Sequence, residues 1–313
     1  MHPTAAMKRV RPAVFALALA ACATAPARYE PGTPTAEQTA KLKAAEAAYR
    51  AGAADYPAQR DAIARDPVAA AWLARMFVRD VFTAREGRPL GEDDELLRAA
   101  AGIEDPVVAR AIAELRALGA VAVPVLVGDL LHHEQPQPRE LGIELLGEIG
   151  EPARPALLAL LRGAPEKPRR AAARALGRLG VDDEVFAALT AMAREPDFTV
   201  RADALRSLRG GGAPAQAFLI ERLRADDDPY VRRVAAETLV AFPTTAVANA
   251  LVDHLERCER DGDRASSRAA QRALCTMAGV RAARPAEQWR QWAAGVDARA
   301  AAKPAAKAAD APR

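Results

Sequence analysis

The side chains most able to bind a metal stand together at His132, His133 and Glu134. Imidazole and carboxylate groups are common ligands, but a closed site needs three or four groups that converge, and adjacent histidines seldom do so alone. His254 is the only other histidine beyond residue 21, and it lies far along the chain. We therefore predict that these histidines lie in a solvated loop and that the protein holds no metal and no cofactor.

The cysteines and serines offer no catalytic nucleophile. Cys258 ends one predicted helix, and Cys275 lies inside the next. The distance along that helix from its start to Cys275 is ~15 Å. A disulfide needs Cα atoms within about 7 Å, so we predict two free, semi-buried thiols. The serines beyond residue 21 are Ser207, Ser266 and Ser267, and none stands beside a histidine. We predict no catalytic residue and a protein that is not an enzyme.

The balance of charge argues against nucleic acid as a partner. The chain has 313 residues, with 44 basic and 41 acidic side chains and a formal net charge of +3. Lys8, Arg9 and Arg11 fall within the first 21 residues, which contain no acidic residue. Without that segment the two signs of charge are equal in number, whereas nucleic-acid binding needs a basic surface.

The composition and a repeated pattern predict helices. Half of the residues are hydrophobic but only 4% are aromatic, which favours helices over a β-sandwich or barrel. Leucines recur about every 31 residues, and a small residue precedes each by four positions. These offsets lie along one side of an α-helix. The leucines of this first ladder are Leu115, Leu146, Leu176, Leu208, Leu239 and Leu274.

A second ladder marks a second helix in each unit, and glycine and proline separate the helices, as at Gly150-Glu151-Pro152. Helix pairs repeated at a fixed period bury together a face that no single pair can bury. The pattern predicts an all-α fold, an α-solenoid of about five to six helix pairs. The leucines of the second ladder are Leu126, Leu157, Leu189, Leu219 and Leu251.

Two units share a motif at the start of the first helix. They read Asp197-Phe-Thr-Val-Arg-x-x-Ala-x-x-x-Leu208 and Asp228-Pro-Tyr-Val-Arg-x-x-Ala-x-x-x-Leu239. The motif resembles that of the short bacterial HEAT repeat of the phycobilisome-lyase type. The resemblance covers residues 101–280 and implies that the helix pairs are HEAT-like. Such repeats occur in binding proteins and in some enzymes, so the resemblance implies no particular reaction.

The N-terminus has the features of an exported protein. The basic residues Lys8, Arg9 and Arg11 precede an apolar run that is too short to cross a bilayer as a helix. The run ends in Leu19-Ala20-Ala21-Cys22, which resembles the bacterial lipobox. The resemblance implies that residues 1–21 are a lipoprotein signal peptide and that Cys22 is lipidated, anchoring the protein in the cell envelope. Ala23, in place of the aspartate that retains lipoproteins at the inner membrane, favours the periplasmic face of the outer membrane.

The rest of the chain divides by composition. In the segment before the repeats, Asp66-Pro67 opens a helix that is apolar on most sides, so we expect its Trp72 to be buried. The predicted segments are a tether at 22–34, an N-terminal helical cap at 35–100, the solenoid at 101–280, a terminal helix with Trp289 and Trp292 at 281–296, and a disordered tail at 297–313.

These features favour a membrane-anchored, non-catalytic scaffold that binds another protein. Two alternatives stay open: an enzyme or enzyme subunit of the bilin-lyase-like HEAT type, and a structural envelope protein. Chromophore chemistry would need ordered histidine, cysteine or acidic groups in a groove, and the second-helix positions offer mostly alanine, leucine and arginine.

A stripe of three arginines is the candidate partner-binding site. In HEAT folds the second helices line the concave face, and Arg162, Arg194 and Arg224 each follow a second-ladder leucine by five residues. Five residues turn a helix by about 140° from the ladder, so these side chains should point away from the core. They suit acidic side chains of a partner. Alternatively they only complement the helix dipole, because each lies in a last turn.

Overall fold

A computed structural model describes residues 29–86 and 105–299, and every regular element within them is helical. The predicted signal peptide and Cys22 lie outside the described residues, as do parts of the predicted tether, cap and tail. The helices are α1 (Ala36–Ala51), α2 (Tyr56–Ile63), α3 (Pro67–Glu86), α4 (Pro106–Leu118), α5 (Val123–Leu131), α6 (Pro136–Ile149), α7 (Arg154–Gly163), α8 (Glu166–Leu179), α9 (Asp183–Met192), α10 (Phe198–Ser207), α11 (Gly212–Ala225), α12 (Pro229–Leu239), α13 (Thr245–Arg260), α14 (Arg264–Ala278) and α15 (Ala286–Ala293).

Both leucine ladders lie in the core, as the sequence predicts. Every leucine of the first ladder is at most 1% exposed, and every leucine of the second ladder is 0% exposed. The small residue four positions before each first-ladder leucine is buried as well, for example Ala172 and Ala204. The all-α solenoid of helix pairs is therefore confirmed.

From α3 onward the helices alternate between two layers. The inner layer consists of α4, α6, α8, α10, α12 and α14, and the outer layer of α3, α5, α7, α9, α11, α13 and α15. In the middle of the stack, inner helices pack extensively along one another, whereas neighbouring outer helices meet much less. At Gly177 in α8, an added Cβ would stand 2.8 Å from the Cα of Ser207 in α10.

This difference in packing shows which helices form the concave face of the solenoid. Neighbours are closer together on the inside of a curved stack, so the first helices of the units form the concave side and the second helices the convex side. The expectation that the second helices of these units line the concave face is wrong because the units were divided at the wrong connection. The most extensive packing also joins each second helix to the first helix of the following unit, as in α7 and α8, which only Ala164 and Pro165 separate.

In three units an arginine near the start of the first helix ties that helix to the loop before it, as Arg139 does through the carbonyl of His133 at 2.6 Å. Arg201 donates to the carbonyls of Glu195 and Pro196 at 3.0 and 2.7 Å. Arg232 makes the same kind of contact with the carbonyls of Asp226 and Asp227. In these units the arginine therefore donates hydrogen bonds to carbonyls of the preceding loop.

At the N-terminal end, α1 and α2 pack beside α3, with Tyr49 between the rings of Tyr56 and Phe77 at centroid distances of 5.4 and 5.1 Å. Trp72 is 39% exposed, so the expectation that it is buried is wrong. Its indole nitrogen donates to the carbonyl of Gly32 at 3.1 Å, which holds the ring at the surface.

At the C-terminal end, α15 packs against α13 in the outer layer. Trp289 is 0% exposed, and its indole nitrogen donates to Oε1 of Gln271 at 2.7 Å. Trp292 lies edge-on to Trp289 with ring centroids 5.6 Å apart. The two indoles thus pack at the end of the stack.

No single helix in residues 29–86 and 105–299 is long and apolar enough to cross a membrane. One helix pair, Pro106–Val121 with Val123–Leu131, passes by length and composition together, but the pair is bent by 101° at its break.

Candidate protein-interaction surface

The residues that could bind a metal do not converge. His132 directly follows α5 and is half-buried, and burial lowers its pKa. The carbonyl of His133 accepts from Arg139 at 2.6 Å, and Glu134 pairs with Nζ of Lys167 at 2.6 Å. No group of three or more histidine, cysteine, aspartate or glutamate residues in the described part of the chain is placed to hold a metal ion.

Cys258 and Cys275 are free thiols, the first buried and the second half-buried. Burial raises the pKa of Cys258. Its sulfur lies 3.5 Å from Nε2 of His254, which is 2% exposed. Burial, reinforced by the positive charge of Arg257, lowers the pKa of His254 to about 4. His254 is therefore a neutral core side chain at neutral pH.

The predicted arginine stripe lies in the outer layer, and each of its members is exposed, as the helical geometry predicts. Arg162 pairs with Glu184 at 2.5 Å. Arg194 donates to the carbonyl of Thr190 at 3.2 Å and lies over the ring of Phe218. Arg224 stands 3.9 Å from Asp253. The three arginines thus contact separate groups of their own chain, and their role in binding a partner stays a prediction.

The inner layer presents a different group of side chains, which we call the aromatic–arginine surface: Phe198, Arg206, Tyr230 and Arg233. Phe198 in α10 is 43% exposed, and its ring meets that of Tyr230 in α12 edge-on at a centroid distance of 5.9 Å and an angle of 89°. Arg206 and Arg233 both place their guanidinium groups 5.5 Å from the centroid of Tyr230.

Capping aspartates position the two rings. Oδ1 of Asp197 accepts from the amide and hydroxyl of Thr199 at 2.7 and 2.6 Å. The hydroxyl of Thr199, followed by the amide of Val200, lowers the pKa of Asp197, so its carboxylate caps α10 in the ionised form. Asp228 caps α12 through the amide of Tyr230 at 2.7 Å. Because a cap fixes the first turn, each ring is held where its helix begins.

Hydrogen bonds connect this surface to the neighbouring helix. The hydroxyl of Tyr230 accepts from Arg206 at 2.6 Å. Asp203, only 6% exposed, accepts from Arg206 at 2.8 Å and from Arg170 in α8 at 2.6 Å. Arg233 makes no ion pair with any described residue. Asp203 therefore joins two guanidinium groups, those of Arg206 and Arg170, and Arg170 also pairs with Glu166 at 3.1 Å.

The sequence analysis missed this surface. Phe198 and Tyr230 precede the first-ladder leucines Leu208 and Leu239 by ten and nine residues, so they occupy nearly equivalent places in successive units. That spacing was the available signal. It predicts contact only when successive first helices are known to be neighbours, which depends on how the two layers are assigned.

The two layers of helices form a helical-repeat solenoid, and the inner helices make up one side of it. The family model described as HEAT repeats matches residues 123–209 and 187–275. Residues 123–275 therefore carry HEAT repeats, and the resemblance of the motif to a HEAT repeat is confirmed.

A solved structure described as the complex of CpcE and CpcF of phycocyanin lyase from Nostoc sp. PCC7120 is similar at 21% identity. The match covers 80% of this chain and 97% of that chain, with a TM-score of 0.33. No curated protein matches the chain.

Proposed function

We propose that the protein is a non-catalytic interaction scaffold that binds a partner protein through the aromatic–arginine surface. The observation that carries the proposal is the exposed ring of Phe198 packed edge-on against the half-buried ring of Tyr230, with Arg206 hydrogen-bonded to Tyr230. Binding energy at protein interfaces concentrates in aromatic and arginine side chains held in a fixed geometry. Since HEAT repeats occur widely in proteins that bind other proteins, the fold is compatible with this role.

The proposal includes an anchor in the bacterial cell envelope through lipidated Cys22, with the periplasmic face of the outer membrane favoured. The support is the Leu19-Ala20-Ala21-Cys22 motif after a basic and apolar leader. A partner within reach of this membrane would then meet the solenoid on a short tether.

The test compares two sets of substitutions on opposite layers. The inner variant combines Phe198→Ala with Arg233→Glu, which leaves Arg206 and its hydrogen bonds in place. The outer variant combines Arg162→Glu, Arg194→Glu and Arg224→Glu. Partners cross-linked in the envelope of the native bacterium are quantified by mass spectrometry, and circular dichroism melting verifies each fold.

The proposal predicts that one stoichiometric partner is lost from the inner variant and retained by the outer variant. Truncating an anchor residue removes ~2 kcal/mol or more, which weakens binding about 30-fold. Loss from the outer variant alone would assign binding to the predicted arginine stripe. A partner unaffected by either set would show that neither surface binds it.

A further inference from the structure

A groove of about 630 Å³ opens at the C-terminal end of the inner layer, separate from the aromatic–arginine surface. It lies between α14 and the segment that leads to α15, and its volume falls within the usual range for small-molecule sites. Three guanidinium groups and an apolar group of side chains line it: Arg268, Arg272, Arg281, Cys275, Val280 and Ala283.

The groove lies along α14, which is the last helix of the inner layer among the described residues. In the inner helices before it, the residue three positions ahead of the ladder leucine is apolar and buried, as with Leu205 and Ala236. In α14 this residue is Gln271. Its amide donates to the carbonyl of Arg284 at 2.9 Å, which ties the following segment to the helix and forms one wall of the groove.

Two of the three cations of the groove lack a counterion among the described residues. The guanidinium groups of Arg268 and Arg281 make no ion pair or hydrogen bond with any described residue, whereas that of Arg272 lies 3.7 Å from Glu237. At the nearby end of α14, the carbonyl of Cys275 accepts from the amide of Val280 at 3.0 Å. This carbonyl is therefore already satisfied by the protein's own backbone.

We propose that this groove binds a small organic anion with an apolar body, such as an amphipathic carboxylate or sulfonate. The guanidinium groups pair with the anionic group, since arginine recognises carboxylates and phosphates through several donors at once. The side chains of Val280, Ala283 and Cys275 contact the apolar body. The groove is a site distinct from the partner-binding surface and does not depend on it.

The full-length protein provides its own reporter, because Cys275 lines the groove and Cys258 is buried outside it. Anilinonaphthalene sulfonate serves as the fluorescent probe, and alkylation of each cysteine by iodoacetamide is followed by peptide mass spectrometry. The test variant is Arg268→Gln with Arg281→Gln. The control variant is Arg178→Gln with Arg209→Gln, two exposed arginines without ion pairs elsewhere on the surface.

We expect the probe to slow alkylation of Cys275, to leave Cys258 unreactive throughout, and to bind the test variant at least about tenfold more weakly. The control variant should bind as the original protein does. Laurate should displace the probe, and the cationic dodecyltrimethylammonium should not. Equal affinity for both variants, unprotected Cys275, or displacement by the cation would each overturn the proposal.

Discussion

Arg201 in α10 holds Asp226, in the loop between α11 and α12, through two hydrogen bonds of 3.1 and 2.9 Å. The side chain of Asp226 is 2% exposed and that of Arg201 is 14% exposed. Oδ1 of Asp226 also accepts from the amide of Asp228 at 3.1 Å. One carboxylate thus joins one repeat to the loop that begins the next.

Removal of this carboxylate should destabilise the array strongly. Asp226→Ala leaves Arg201 with an unpaired charge that is mostly removed from water, and breaking a buried pair from one side costs ~3–5 kcal/mol. Asp227→Ala, at the exposed neighbouring position, should change the free energy of unfolding little. Urea denaturation of both variants measures the difference. Similar losses would mean that Asp226 does not join the repeats.

Two glycines at the same repeat position should respond oppositely to alanine. An added Cβ at Gly147 would meet Cδ of Arg178 at an ordinary 3.6 Å, whereas at Gly177 it would meet the Cα and carbonyl of Ser207 at 2.8 Å. Gly147→Ala should therefore stabilise the protein by ~0.5–1 kcal/mol through helix propensity. Gly177→Ala should cost ~1–3 kcal/mol, because α8 and α10 must separate.

Thermal or urea unfolding of the two glycine variants provides the comparison. If both substitutions stabilise, the inner helices are not in close backbone contact at Ser207. The assignment of α8 and α10 to a tightly packed concave layer would then be wrong as well.

The sequence predicted which side chains fill the core but not how the helices pair. Leu176 and Leu189 follow from periodicity alone, because their spacing places them on one side of each helix. A periodic pattern has no marked starting point, however, so it does not say whether α7 pairs with α6 or with α8. The two-residue connection at Ala164 and Pro165 was the available signal for the second choice.

The same ambiguity explains why the candidate site changed. With the second helices placed on the concave side, Arg162 and its equivalents became the candidates. With the first helices there, Phe198 and Tyr230 become neighbours across α10 and α12.

Trp72 was placed in the core because its helix is apolar on most sides, but periodicity does not show that Gly32 offers the indole a hydrogen-bond acceptor.

Stability should decrease in mild acid because of His254. Its pKa in the folded protein is about 4, against ~6.5 in an unfolded chain. Between these two pKa values the unfolded chain binds more protons than the folded protein. The free energy of unfolding is therefore unaffected by the protonation of His254 above pH ~6.5 and decreases as the pH falls toward ~4. The nearby guanidinium of Arg257, 2.9 Å from Nδ1, opposes protonation further.

His254→Leu removes this titration. Between pH 7.5 and pH 4.5, the unfolding free energy of the variant should decrease by ~2 kcal/mol less than that of the original protein. Comparison of the two proteins at pH 7.5, where the histidine is neutral, isolates the packing change. If the pH dependence of the variant matched that of the original protein, another group would account for the acid sensitivity.

Lipidation should depend on Cys22 alone among the cysteines. Only a thiol can accept the diacylglyceryl thioether, so Cys22→Ala should remove the acyl chains, which contribute ~0.8 kcal/mol per buried methylene. The variant should then move from the detergent phase to the aqueous phase in detergent partitioning of bacterial envelopes.

Cys275→Ser should partition as the original protein does, because that thiol lies in α14, far along the chain from the anchor. Mass spectrometry of the mature N-terminal peptide gives the direct readout. Unchanged membrane association of Cys22→Ala, together with no acyl mass on the original peptide, would contradict the lipid anchor.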